Sequence, residues 1–349
     1  MNYVGFGNTG EIVSEMCLGT MMFGDRCDEV KTARIVDMAI DQGVTFIDTA
    51  AMYCEGYTEE IMGRVLKGKR DKVFITTKVI KGIDPQSIRE NIDESLSRLQ
   101  MDHVDLYLIH WPKVGMQPEA IMEALNYVVQ QGKARFVGCS NYPAWVFELS
   151  NGLAEKHGWP KLINNQIPYN LIERGAEVEI LPQAMTEGIA ITTYRTLVLG
   201  LLTGKYKPDE PLPENTRSQV DQRIPSWLVK YGNSIRRFNE FAARRGIHPA
   251  QLAIAWVRHS PAVTSPLVGV SSTRQLQATI DAFSIDLTEA EYTEVTNMWG
   301  NLHFPVGMRC QDIALRQPQR FILNAQITGG FPEKTYFVRL SRALLPAGL

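Results

Sequence analysis

Short apolar runs punctuate this chain at near-regular intervals, and several of them end in a polar residue. TFIDTAAMY, VFITTKV and DLYLIHWP lead from Val, Ile, Phe, Leu or Thr into Asp48 and Tyr53, Lys78 and His110. Runs of this kind read as buried strands. Equivalent strand ends lie 30 residues apart from Asp48 to Lys78, then 32 to His110, 31 to Asn141, 25 to Gln166 and 28 to Tyr194. That is the length of one unit of strand, loop, helix and loop. The intervening segments carry helical stripes. After Asp84 as cap and Pro85 in the first turn, Ile88, Ile92, Leu96 and Leu99 recur at helical steps, and Ile121, Leu125 and Val128 repeat the stripe before Gly132.

Strands over residues 135–141, 162–170 and 189–194 continue the alternation, which implies a parallel sheet. Open doubly wound sheets and closed barrels both satisfy it. Eight candidate strands, from residues 15–19 to residues 265–270, favour a single-domain α/β fold of the (β/α)8 TIM-barrel type. Residues 206–232 hold four prolines among many polar residues and read as a long loop over the C-terminal face, with Trp227 as a residue able to close on it. Helices over 234–245 and 249–259 then precede the eighth strand. The barrel is expected over residues 1–300. Residues 301–349, with six basic and two acidic side chains, have no repeat partner and read as a C-terminal extension of unknown role.

Composition narrows the field of partners. The 349 residues carry 36 basic and 38 acidic side chains, so no net field argues for nucleic acid or an anionic membrane. Five scattered cysteines, Cys17, Cys27, Cys54, Cys139 and Cys310, form no CxxC pair, which fits a reduced, cytoplasmic protein without a metal centre. The start, MNYVGFGNTGEIV, lacks a basic region followed by an apolar core, and no stretch approaches the roughly 20 apolar residues of a membrane span. A small-molecule partner is expected, and the oligomeric state is open.

In a barrel, functional side chains gather where strands enter their following loops. Asp48, Lys78 and His110 then become neighbours. Asp48 offers a buried Lys78 ammonium its partner, and Lys78 favours ionisation of Tyr53, lowering a phenol pKa ordinarily about 10. Tyr53 then acts as a general acid near neutral pH, with His110 bonding the oxygen that Tyr53 protonates. The group suits reduction of an aldehyde or ketone. Singly, Asp48 and Lys78 also read as a structural ion pair, and Tyr53 and His110 as barrel lining. A glycosidase barrel needs two facing carboxylates, and Glu59 and Glu60 sit instead at the start of a predicted helix.

Eight segments, GVTFIDTAAMY, EEIMGRVLKG, TTK, DLYLIHWP, GKARFVGCSN, NNQIPYN, GLLTGKY and PAVTSPLVGVSS, resemble the motifs of the aldo-keto reductase family in order and spacing, over roughly residues 5 to 298. The resemblance implies NADP, with NAD as the other possibility, extended across the barrel mouth, and a tetrad of Asp48, Tyr53, Lys78 and His110. It implies that Ser140, Asn141 and Gln166 hold the nicotinamide carboxamide and that Tyr194 stacks on its ring. Gly19, Thr20 and Met21 belong to the same cofactor face. Leu197, Leu201 and Lys205 fall in the segment that clamps the pyrophosphate, and Gly269, Ser271, Arg274 and Gln275 in the one that holds the adenosine end. GLLTGKY is no Walker motif, because only three residues separate Gly200 from Gly204 and Tyr206 stands where Ser or Thr is needed.

Two departures stand out. The family's usual Ser-Pro-Leu after the stacking aromatic is here Arg195, Thr196 and Leu197, which puts a guanidinium near cofactor phosphate or an anionic substrate. The usual Glu and Asn at the adenine are Ala278 and Thr279. Arg274 is a candidate for a 2′-phosphate, since Arg matches phosphate in two-pronged fashion. Met22, Phe23, Cys54, Trp111 and Tyr142, with Tyr53 and His110, are expected to wall a pocket for a carbonyl or alcohol. The rival reading, also from the resemblance, is a cofactor-binding regulatory or redox-sensing protein with slow turnover, like the family's channel-associated members.

Overall fold

The structure is a computed structural model that describes residues 1–80, 82–214 and 216–300. The extension expected over residues 301–349 lies outside the described residues. Two short strands open the chain, β1 (Tyr3–Gly5) and β2 (Ile12–Ser14), paired antiparallel. Then follow β3 (Cys17–Gly19), α1 (Glu29–Asp41), β4 (Phe46–Asp48), α2 (Tyr57–Val65), β5 (Phe74–Val79), α3 (Pro85–Leu99), β6 (Val104–Ile109), α4 (Pro118–Gln130), β7 (Ala134–Ser140) and α5 (Ala144–His157). The second half adds β8 (Leu162–Pro168), α6 (Ile180–Glu187), β9 (Ala190–Tyr194), α7 (Arg223–Arg245), α8 (Pro249–His259), β10 (Ser265–Gly269), α9 (Thr273–Ala282) and α10 (Glu289–Asn297). Strands β3 to β10 run parallel and close into a barrel when β10 pairs with β3. This is the eight-stranded α/β barrel that the repeat implied.

Barrel strands bury both faces, which is why they read as continuous apolar runs rather than alternating ones. All six residues of β5 are buried, as are all six of β6. The helices pack outside them in two apolar clusters: one joins the sheet to α1 through α5 and α9, the other to α6, α7, α8 and α10, with Ile254 of α8 reaching the first. Among the described residues no helix is long and apolar enough to cross a membrane.

The hairpin of β1 and β2 is absent from the sequence reading, because strands of three residues carry too little periodicity to register. It plugs the barrel floor. Val4, Phe6 and Val13 join Cys17, Phe46, Phe74, Leu106 and Leu108 in one apolar cluster below the strand ends. The Phe6 ring lies 5.5 Å from Phe46 and 5.0 Å from Phe74, centroid to centroid.

The long loop is shorter than expected. Helix α7 begins at Arg223, inside the segment read as loop over residues 206–232, and absorbs the helix expected from residue 234. Pro225 misleads because it occupies the first turn, where its missing N–H has no intrahelical partner to lose. Trp227 therefore lies on a helix packed against the core, not on a closing loop.

Truncating Phe6 removes the keystone of the floor. Phe6→Ala is expected to cost about 3–5 kcal/mol, read from urea unfolding, and a loss below about 1 kcal/mol would show that the hairpin merely rests on the barrel.

Candidate active site

The parallel register brings the expected residues to one end of the barrel. Gly19 pairs with Asp48 and Asp48 with Thr76 across adjacent strands, while Ser140 pairs with Gln166 and Pro168 with Tyr194 further round. Lys78, fully buried, donates from Nζ to Asp48 Oδ1 at 2.5 Å and to the Thr49 carbonyl at 2.8 Å, with a longer contact of 3.4 Å to the Tyr53 hydroxyl. Gln166 Nε2 donates to the other Asp48 oxygen at 2.8 Å. The His110 ring stands edge-on to Tyr53 with centroids 6.4 Å apart. All four expected catalytic side chains thus share one mouth.

Their electrostatics correct one expectation. The Tyr53 pKa is raised rather than lowered: burial disfavours the phenolate more than the Lys78 ammonium favours it. The proton is therefore held firmly at neutral pH. Burial alone would drive Lys78 down, but Asp48 and Tyr53 together outweigh that and hold its pKa above the ordinary value. His110 moves from 6.5 down to about 3, first through burial and second through Lys78, so its imidazole is neutral at physiological pH. Its Nδ1 is buried without a hydrogen-bond partner among the described residues.

A second ring of polar groups surrounds these. Ser140 Oγ donates to the Gln166 carbonyl at 2.8 Å, Asn141 Nδ2 to the His110 carbonyl at 3.1 Å, and the Tyr194 hydroxyl to Asn141 Oδ1 at 2.6 Å. Thr20 Oγ1 bonds the Asp48 carbonyl at 3.0 Å, and Met21 beside it is exposed. The donor set suits a nicotinamide: hydroxyl and amide groups at the ends of β7 and β8, an aromatic ring at the end of β9. Glycines leave the backbone open as well. A Cβ on Gly269 would meet nothing nearer than Gly19 O at 3.6 Å and Met22 Cγ at 3.9 Å, and Gly200 takes φ +93° beside the exposed Lys205. Leu201 is buried, which limits it to backbone contacts, whereas Leu197 is half-buried.

Where the adenosine end is expected, Gln275 Oε1 accepts from Ser271 N at 2.8 Å and Oγ at 3.0 Å, and Arg274 is exposed on the first turn of α9. Of the two departures there, Thr279 is turned into the core and only Ala278 faces outward.

Arg195 is not a free cation. Its guanidinium pairs with Glu173 Oε1 at 3.0 Å and lies 5.4 Å from the Tyr194 ring centroid, while its carbonyl accepts from Asn170 Nδ2 at 3.2 Å. Glu173 is a residue that sequence reasoning missed, since nothing in the order of residues links positions 22 apart in two loops. The expected substrate wall divides. Trp111 is exposed and stacks beside His110 at 6.3 Å, and Met22 and Cys54 are half-buried. Phe23 and Tyr142 are buried in the main core, so they support the mouth from behind instead of lining it.

Fold and site together define a (β/α)8 barrel with an acid–base cluster at the C-terminal ends of its strands. The model of the Aldo/keto reductase family matches residues 15–299, and the chain belongs to that family. It is 34% identical over 307 residues to the uncharacterized oxidoreductase YrpG of Bacillus subtilis, covering 82% of this chain and 92% of that one. It is 31% identical to the versiconal hemiacetal acetate reductase of Aspergillus parasiticus (84% and 96% covered), and 31% identical to a probable voltage-gated potassium channel subunit beta of Arabidopsis thaliana (82% and 92%). Membership makes the chain an NAD(P)H-dependent oxidoreductase.

The lowered His110 pKa has a consequence for stability. A His held neutral in the fold but free to protonate when unfolded stabilises the protein above pH 6.5, and that contribution is lost as pH falls toward about 3. His110→Asn is expected to flatten the fall in urea stability over that window by a few kcal/mol. Identical pH slopes for the two proteins would mean that the imidazole is solvated.

Proposed function

We propose that this chain reduces an aldehyde or ketone, reversibly, with a bound nicotinamide cofactor, and that Tyr53 is the proton donor. The observation that carries this reading is the fully buried Lys78–Asp48 pair standing 3.4 Å from the Tyr53 hydroxyl, with a neutral His110 alongside. When bound, a reduced nicotinamide supplies the hydride. Ser140, Asn141 and Gln166 would hold its carboxamide and Tyr194 would lie against its ring. NADP is the preferred form, with Arg274 toward the extra phosphate.

The residues of the chain do the remaining work. His110, neutral and partly desolvated, orients the carbonyl oxygen without competing to protonate it. Tyr53 gives its proton to that oxygen as negative charge builds there. Lys78 then faces a nascent phenolate, and the attraction offsets the cost of forming that anion in a half-buried place. Asp48 keeps Lys78 charged, and the carbonyl of Thr49 fixes where the ammonium points.

The channel-subunit relative supports a second reading, in which the protein binds cofactor and turns over slowly. The complete tetrad favours chemistry. Purified protein, NADPH and a panel of aldehydes separate the two when nicotinamide oxidation is followed for wild type and Tyr53→Phe. Turnover by wild type and a loss of about 10²-fold or more in kcat for the variant are expected, with cofactor binding held within a few-fold. Reduction should be level from about pH 5 to 9 and decline only as pH rises through the raised Tyr53 pKa, because the donor must be protonated. Equal rates for the two proteins refute Tyr53 as donor, and tight cofactor binding without turnover in wild type supports the regulatory reading.

A further inference from the structure

Tyr53 does not sit on a strand. It begins a tight turn, Tyr53–Gly56, between β4 and α2, and the three residues after it all have positive φ: Cys54 at +46°, Glu55 at +57° and Gly56 at +97°. Two of these carry side chains that disfavour the left-handed region, so the turn is strained and is kept in place by its surroundings. The surroundings are unusual. Three residues further on, at the start of α2, Glu59 is a fully buried carboxylate.

Glu59 ties three elements together. Oε1 accepts from the hydroxyl of Thr77, the residue before Lys78 on β5, and Oε2 accepts from Arg98 Nε of α3 at 2.7 Å. Lys78 points into the mouth and Thr77, its neighbour on a pleated strand, points out to the helices. Arg98 in turn lies flat on the strained turn. A Cβ on Gly56 would meet Arg98 Cδ at 2.8 Å and Nε at 2.9 Å, so glycine serves both the dihedral angle and the contact. A Cβ on Gly63 would meet the Leu99 carbonyl oxygen at 2.5 Å, which shows how closely α2 sits on the end of α3. From the other side Thr58 Oγ1 donates to the Phe23 carbonyl at 2.7 Å.

We infer that Glu59, through Arg98 and Thr77, is a positioning residue for Tyr53. It is buried on α2, bonded to Thr77 and Arg98 rather than to any of the four mouth residues. It pins the strained turn to the strand that carries Lys78, and so sets the distance between phenol and ammonium. A buried charge here has a specific effect that an apolar contact lacks, because a carboxylate with two directional partners fixes a register while greasy packing tolerates sliding. Without it, the turn relaxes toward ordinary dihedral angles and the Tyr53 hydroxyl draws away from Lys78 toward solvent.

This inference rests on the proposed role of Tyr53, and its test reads the phenol independently of turnover. Glu59→Gln, Arg98→Ala, Arg98→Lys and Thr77→Val are compared with wild type, each with and without Tyr53→Phe. The ultraviolet phenolate titration of Tyr53 is the difference between the two members of each pair. In wild type that titration is expected above the ordinary phenol value, since burial outweighs the Lys78 ammonium. In Glu59→Gln and Arg98→Ala it is expected to return toward ~10, with kcat down roughly 10- to 100-fold and the KM for carbonyl and the Kd for NADPH within about threefold. Arg98→Lys is expected to recover part of kcat. Thr77→Val removes only a hydroxyl and keeps the test open where Glu59→Gln fails to fold.

An unmoved Tyr53 titration in folded variants overturns the inference. So does a fall in kcat matched by an equal fall in cofactor affinity and melting temperature, which marks a merely structural role. A wild type that never turns over refutes the reaction, yet the titration still decides whether Glu59 positions the phenol.

Discussion

Taking an ammonium and a carboxylate out of water together costs several kcal/mol per ion, and their mutual attraction offsets that only when every remaining hydrogen-bonding site is met. Lys78 and Asp48 meet that demand. The ammonium has a carboxylate and a backbone carbonyl, and the carboxylate has Lys78 on one oxygen and Gln166 on the other. A well-packed apolar pair at these positions would serve stability as well or better, so the pair's use is the electrostatic field it sets up. Burial first, and the Lys78 ammonium second, keep His110 from taking a proton, and the same ammonium stands ready for negative charge on the Tyr53 oxygen.

The barrel supplies the rigidity this pair needs and puts the strain elsewhere. Below the mouth, Phe6, Phe46 and Phe74 close the floor with apolar rings. Above it, backbone strain collects. Among the described residues, seven other than glycine have positive φ, and all but Gln100, which caps α3, follow the C-terminal end of a strand: Cys54, Glu55, Asn141, Arg195, Val198 and Leu199. Strained dihedral angles persist only where the surroundings over-determine them, and they concentrate at working sites. The Tyr53 turn has the Glu59 link for that purpose, and Arg195 has Glu173 and Asn170.

Much of this was legible in the order of residues, and the parts that were not share a cause. The barrel was legible because its strands are apolar on both faces and recur with a fixed period. The four mouth residues were legible because each interrupts or closes such a run. Helix α7 was hidden by Pro225, a breaker everywhere except in a first turn, and the floor hairpin by strands of three residues. The direction of the Tyr53 shift is not legible in the sequence, which names the neighbouring charge without giving the burial that opposes it. Arg195 looked free for the same reason, its partner Glu173 lying 22 residues away on another loop.

The pairing of Arg195 changes the electrical character of the whole mouth. Lys78 is matched by Asp48 and Arg195 by Glu173, while His110 is neutral. These groups present directional donors and a single available proton without surplus charge among them. An anionic substrate would have to break the Arg195–Glu173 pair or meet Glu173 directly, losing in desolvation what it gains in attraction. A neutral carbonyl faces no such exchange. It would arrive among donors already aimed, and the large electrostatic change left would be the one the proposed reaction makes, as its oxygen becomes negative within reach of a phenol held beside an ammonium.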